Sequence, residues 1–382
     1  MAKPSQIALH YSMRRRGAYS VAIVLLSAGP VSCGRLNFEP TATLGDATTT
    51  DAPSDVATDG ANGPAPNLAF VTAATFTGDL GGLAGADAAC NAAAASAAGG
   101  PLPGTFRALM ADSTTSIAAR FGTARGWVDL QGRPIARGVD ELSDRMLYPI
   151  DVDENRTRIE ATQTEAWTGN NTLGPHYCSD WTTALAAETG GASRVGGPIV
   201  TTVTTSCNTP QHLFCAEFAR TAIVTVPPST ARVAFVLSHT LSPLATMGDA
   251  DGECQADAVA NGLAGSFLAV QHRASAPVQS RLLDINAPWR RVDNILLAPS
   301  GTALFNGSSL DTFINQMADG QPSNFLMPSM DATLANCNEW TSGTGNFTFR
   351  TLQMNTRHWH TPSAGSADIG CNLPFRILCL QR

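Results

Sequence analysis

Sulfur carries the clearest pattern of reactive side chains in this chain. Nine cysteines stand at Cys33, Cys90, Cys178, Cys207, Cys215, Cys254, Cys337, Cys371 and Cys379. An odd count leaves at least one without an internal partner. They divide into one near the start and two sets of four, and each set closes with a pair separated by seven residues, Cys207 to Cys215 and Cys371 to Cys379. A structural zinc site would need close ligand pairs such as Cys-x-x-Cys or His-x-x-x-His, and neither spacing occurs. Four cysteines in an exported domain read instead as two disulfides, with three connectivities open.

The remaining candidates for chemistry are weaker. His358-Trp359-His360 would place two imidazoles on one face of a strand. No third ligand follows by spacing, so the pair reads as a surface feature. Two carboxylate clusters, Asp151, Asp153, Glu154 and Asn155 in one place and Asp249, Asp251 and Glu253 in another, could contribute to the six to eight oxygens of a calcium site. Only Asp251 has a counterpart, Asp87, and both read as caps opening a helix. There is no Gly-x-Ser-x-Gly elbow and no His-Glu-x-x-His. The only lysine is Lys3, so a phosphate-binding Gly-rich loop ending in lysine is excluded beyond the leader. The expectation is a non-enzyme with no catalytic residue, cofactor or metal. Tryptophans 127, 167, 181, 289 and 340 recur mostly at repeated positions, which favours core; Trp167, Trp181 and Trp340 are kept as possible ligand contacts.

Charged residues make up 14% of the chain and the formal net charge is -7. No basic patch is available to release counterions from nucleic acid, so nucleic acid is not an expected partner. Residues 1–33 read as an export signal, with a basic Arg14-Arg15-Arg16, a short apolar run from Val21 to Leu26, and small residues before Cys33. The run is too short to span a bilayer. Its end resembles a bacterial lipoprotein cleavage site, with Pro30 where that site usually has leucine, and the resemblance implies that Cys33 becomes acylated. That accounts for the ninth cysteine; the alternative is an ordinary cleaved signal that leaves Cys33 a free thiol. Gly34 after the cysteine implies outer-membrane rather than inner-membrane sorting, and Met13 is a second possible start. Residues 34–66, rich in Thr, Asp, Ala and Pro, have too little apolar surface to fold and read as a flexible tether of roughly 30 Å.

Beyond the tether the chain repeats itself. Ala69-Phe70-Val71-Thr72 matches Ala234-Phe235-Val236-Leu237, Gly104-Thr105-Phe106 matches Gly265-Ser266-Phe267, and Cys178-Ser179-Asp180-Trp181-Thr182 matches Cys337-Asn338-Glu339-Trp340-Thr341. Arg120 and Arg281 each lie 16 residues past the matched glycine, and Trp127 and Trp289 follow. Two domains are expected, 67–220 and 227–382. Each opens with a short strand (68–72, 233–237), then a helix (84–98, 251–261) and a second short helix (113–121 with Asp112 or Ser113 as cap, 275–283). Punctuated loops and strands such as 199–204 and 347–352 complete it. That order argues α+β: two short helices, a small antiparallel sheet, long loops and two disulfides per domain.

The ending Cys207-Asn208-Thr209-Pro210-Gln211-His212-Leu213-Phe214-Cys215-Ala216-Glu217 resembles the last stretch of C-type-lectin-like domains. The runs Gly81-Gly82-Leu83-Ala84-Gly85-Ala86-Asp87, Asp112-Ser113-Thr114-Thr115-Ser116, Trp167-Thr168-Gly169 and Cys178-x-x-Trp181-Thr182 resemble more closely the endostatin-like, C-type-lectin-like domains of bacterial surface lipoproteins, including those of spirochaetes. The likeness covers 68–218 well and 232–382 more loosely, with Leu326 in place of Trp167. It implies two tandem copies of that fold, with first cysteine paired to last and the middle two together: Cys90–Cys215, Cys178–Cys207, Cys254–Cys379 and Cys337–Cys371. It also implies a surface module binding an extracellular protein or carbohydrate. The Glu-Pro-Asn, Gln-Pro-Asp and Trp-Asn-Asp tripeptides of calcium-dependent sugar sites do not occur. The rival expectations are an envelope scaffold, and an enzyme on the related formylglycine-generating architecture.

Overall fold

The computed structural model describes residues 65–382 apart from 160–163, 170–175, 200–202, 243–246, 272, 274–275, 307–309, 324–326, 329–336, 344–347 and 353–367. Cys33, residues 34–64 of the tether, Leu326 and the His358/His360 pair therefore lie outside the described residues. The first half is built on β1 (Asn67–Val71), α1 (Gly82–Ala95), β2 (Phe106–Ala108), α2 (Ile117–Phe121), β3 (Arg125–Asp129), β4 (Pro134–Gly138), β5 (Glu165–Trp167), β6 (Thr189–Arg194), β7 (Val203–Ser206) and β8 (His212–Glu217). These strands form one sheet in the order β4-β3-β1-β8-β5-β6-β7, with β2 also on β8.

The central strands are apolar runs because both faces are covered. Side chains alternate across a strand. Ala69 and Val71 thus join Trp127, Phe121 and Phe214 on one side, while Phe70 joins Phe106, Trp167 and Trp181 on the other. α1 lies on that second side and is tied to β8 by the Cys90–Cys215 disulfide; a second disulfide joins Cys178 to Cys207. The α+β class is as expected, but the sheet is mixed rather than antiparallel. β1 pairs in parallel with β3, and β5 with β8. A parallel neighbour requires a long crossover, and the segment carrying α1, β2 and α2 supplies it. α2 begins at Ile117, and its cap is Ser116, which accepts from the Ala119 N–H, rather than Asp112 or Ser113.

The second half follows with β9 (Arg232–Val236), a helix at Met247–Ala260, β10 (Phe267–Ala269), β11 (Trp289–Arg290), β12 (Leu296–Ala298), β13 (Met327–Pro328), β14 (Thr348–Leu352), β15 (Asp368–Gly370) and β16 (Leu378–Gln381). Its main sheet runs β10-β16-β9-β11-β12, again with the first strand parallel to the one carrying the tryptophan, and β13, β14 and β15 form a smaller sheet. A 3-10 turn at Val278–Arg281 stands where a second helix was expected. Disulfides join Cys254 to Cys379 and Cys337 to Cys371.

Contacts recur between the halves at side-chain level. Asp87 accepts from the Ala108 N–H at 2.9 Å and pairs with Arg120; Asp251 accepts from the Ala269 N–H at 2.8 Å and pairs with Arg281. Asp87 thus sits inside α1 and not at its start, which corrects the capping reading: its carboxylate joins the helix to the next strand. The two arginines at matched spacing are the ion-pair partners of these aspartates, Arg120 of Asp87 and Arg281 of Asp251. The described residues of both halves lie in one compact unit. Thr312 Oγ1 donates to the Leu147 carbonyl at 2.8 Å, Arg291 to that of Met146 at 3.2 Å, and Arg158 to that of Leu310 at 3.2 Å. Phe313 of the second half packs into the first half's core.

Removing one partner of a largely buried ion pair leaves the other uncompensated. Asp87→Ala strands Arg120 and the Ala108 N–H, and is expected to lower unfolding free energy by about 3 kcal/mol. Arg137→Ala, on the exposed Arg137–Glu141 pair, should change it by less than about 1 kcal/mol. Equal effects in denaturant titrations would contradict the assigned roles.

Candidate functional site

The candidate site grows from one short and unusual turn. Cys178, Ser179, Asp180 and Trp181 have φ values of 47°, 51°, 54° and 66°. Cys337, Asn338, Glu339 and Trp340 repeat this with 54°, 54°, 57° and 62°. Each is a single turn of left-handed helix; the first is closed by Trp181 N–H to the Tyr177 carbonyl at 2.7 Å and Thr182 N–H to the Cys178 carbonyl at 3.1 Å, the second by Thr341 N–H to the Cys337 carbonyl at 3.2 Å. For L-residues that conformation costs roughly 1–2 kcal/mol each, so it persists only where its surroundings enforce it.

Three anchors enforce it. Cys178 is fixed to Cys207. Its sulfur lies over Gly78 and Gly190, where an added Cβ would come within 2.5 Å and 2.8 Å of it. Trp181 is fully buried beside Trp167, ring centroids 5.5 Å apart, and its Nε1–H donates to the Ala111 carbonyl at 2.8 Å. Asp180, pointing the other way, accepts from the Ser113 N–H and Oγ–H, each at 2.8 Å.

Those contacts fix residues 111–113 and thereby position a polar loop. Asp112 Oδ1 accepts from the backbone N–H of Thr114 and Thr115 at 2.9 and 2.6 Å. Partial burial pushes the Asp112 carboxyl up, but the hydrogen bonds from Thr114 and Thr115 together outweigh it and hold the pKa below its ordinary value of 3.8. Gly169 closes the floor: it has φ 63°, and a Cβ there would approach the Ala111 carbonyl oxygen to 2.5 Å and the Trp181 ring to 2.9 Å.

Between this loop, the start of α2, Val139-Asp140 and Tyr177 lies a cavity of about 470 Å³. Its walls carry the hydroxyls of Ser113, Thr114, Thr115 and Ser116, two carboxylates, one phenol and the apolar Ile117 and Val139. That volume falls within the range of small-molecule sites.

Several expected site residues stand elsewhere. Trp167 and Trp181 are fully buried and Trp340 nearly so. Their indoles present no face for direct ligand contact, which corrects the contact reading; they act from beneath, as packing. The first carboxylate cluster is occupied by protein donors: Asp151 by Arg133 and Arg158, Asp153 by the N–H of Asn155 and Thr157, and Glu154 by the Ala73 N–H. In the second, Asp251 is held by Arg281 and Glu253 lies 3.1 Å from His239. Among the described residues no group of three or more His, Cys, Asp or Glu is placed to hold a metal ion. Sequence reasoning passed over Val139, Asp140 and Tyr177. The five consecutive hydroxyl or carboxylate side chains from Asp112 to Ser116 were the available signal.

Compared with known proteins, the chain matches no protein-family model, and none of the curated proteins matches it significantly.

Two outcomes follow from this geometry. A carboxyl held below its ordinary pKa contributes its clamp fully above that value and loses it as pH falls through the lower, folded one. The Thr114 and Thr115 amide resonances should therefore titrate together with a midpoint under 3.8; a midpoint at or above it would contradict the clamp. Gly169→Ala should destabilise the protein by about 1–3 kcal/mol, because it combines a positive φ with a backbone clash, and thermal unfolding unaltered by it would refute the floor assignment.

Proposed function

We propose that the chain is an exported, lipid-anchored binding protein of the outer membrane, carrying two tandem C-type-lectin-like domains of the endostatin-like kind. Its ligand is an extracellular protein or carbohydrate. The cavity beside Asp112–Ser116 carries this reading: it is a rimmed, polar, largely preformed recess on a module whose four described disulfides suit an oxidising compartment. Sequence resemblance supports the fold assignment, and the lipoprotein-like leader supports the location. Thr114 Oγ1–H donates to Asp112 Oδ1 at 3.0 Å, but that carboxylate is held below its ordinary pKa by its hydrogen-bond donors and is a weak base for activating a hydroxyl, so binding is preferred to catalysis.

Labelled fatty acid fed to expressing cells should be incorporated into the protein and lost in Cys33→Ala. The processed full chain should then show saturable retention on a panel of extracellular-matrix proteins and glycans. A protein released with a free Cys33 thiol would remove the anchor from the proposal. Absence of saturable retention on every member of the panel would remove the binding function.

A further inference from the structure

The chemistry of the cavity also bears on the class of ligand. Resting on the binding reading above, we infer that the recess at Asp112–Ser116 takes a neutral, hydroxyl-rich carbohydrate unit, without calcium. Three features carry this.

The first is charge. Among the described residues no arginine lines the cavity, so a sulfate, phosphate or carboxylate entering it would meet the acidic side chains of Asp112 and Asp140. The two carboxylates are themselves already served: Asp112 by two backbone N–H groups, and Asp140 by Arg145 at 2.7 Å. Only Asp140 is neutralised by a cation; Asp112 stays ionised, and a ligand hydroxyl, which needs only an acceptor lone pair, can donate to it.

The second feature is the supply of such positions. Asp112 is held through Oδ1 by the Thr114 and Thr115 N–H groups and the Thr114 hydroxyl, and its carboxylate lines the cavity. Ser116 Oγ accepts from the Ala119 N–H, which leaves its proton to donate outward. Thr114 Oγ1–H donates to Asp112 Oδ1 at 3.0 Å and its oxygen lies 3.2 Å from that of Thr115, so the two hydroxyls keep acceptor lone pairs. A vicinal diol presents the same alternation of donor and acceptor, so it can satisfy a carboxylate oxygen and a hydroxyl pair together.

The third is the apolar component. Ile117 and Val139 and the half-buried ring of Tyr177 give the recess walls for the C–H faces of a pyranose, and the ring carries a phenol at its edge. The turn below is fixed by Trp181 and by the Asp180–Ser113 contacts, so little ordering is left to be done when a ligand enters. The volume of about 470 Å³ holds one or two sugar units and excludes a folded partner.

The test is an array of immobilised glycans probed with the full chain, exported through an oxidising compartment. It includes neutral hexose and N-acetylhexosamine oligosaccharides, sulfated and sialylated glycans, and arginine-rich peptides. Binding to neutral oligosaccharides is expected, unchanged by a calcium chelator and little changed at about 1 M salt, where screening falls to about 3 Å. Ala118→Trp, at an exposed α2 position on the rim, should fill the recess and weaken binding by at least about tenfold with an unaltered circular dichroism spectrum. Tyr177→Phe, which keeps the ring, should weaken it less. Saturable binding confined to anionic glycans, to the peptides or to matrix proteins would overturn this inference while leaving the binding function in place. So would neutral-glycan binding that is indifferent to Ala118→Trp or abolished by the chelator. No saturable binding to anything on the array or the protein panel would overturn both.

Discussion

The left-handed turn at Cys178–Trp181 is the constraint on which the candidate site depends. Four consecutive L-residues hold a conformation each of them disfavours. In return, one turn of chain places a half-cystine, a buried indole and an outward carboxylate in three directions at once. The indole reaches the Ala111 carbonyl, the sulfur reaches Cys207, and the carboxylate reaches Ser113. A right-handed turn would not send the same side chains to the same places, because the order around the axis reverses. The pocket loop has little hydrophobic content of its own; it is shaped by what the turn presents to it.

The same turn recurs at Cys337–Trp340, and with it the sheet pattern and the Asp–Arg brace between helix and strand. Retention of these features in both halves fits a framework role for them. The loops between them differ. Thr312 and Arg291 meet carbonyls of the Met146-Leu147 segment, and Arg158 meets that of Leu310, so positions free of framework duty serve to join the halves. Phe313 seated in the first half's core makes the joint apolar as well as polar. The disulfides and the joint together substitute for the larger continuous core that a chain with so many loops lacks.

Much of this framework was legible in the residues. The helix at Gly82–Ala95 and the opening strands followed from alanine content and apolar runs, and the cysteine count in two sets of four pointed to two disulfides per half. Parallel pairing of β1 with β3 was not legible, since strand direction depends on where a distant crossover returns. The role of Asp87 was hidden for a related reason. An aspartate early in a helix reads as a cap, whereas its partners, the Ala108 N–H and Arg120, lie 21 and 33 residues away. Handedness of the Cys-x-x-Trp turn left only a faint local trace: Asp180 and Asn338 are of the type that tolerates positive φ, but no glycine marks either turn. The buried tryptophans show the limit of composition, because an aromatic suits a core and a ligand face equally until burial separates the two.

Hydrogen exchange on the double variant Cys178→Ser/Cys207→Ser bears most directly on the claim that the turn organises the site. Released from the disulfide, the turn should relax from its left-handed form. Amide exchange in residues 111–118 should then accelerate selectively, while the amides of β1 and β8, held by Cys90–Cys215, keep their protection. Unchanged protection across 111–118 would show that the pocket loop is shaped independently of the turn and would contradict the account.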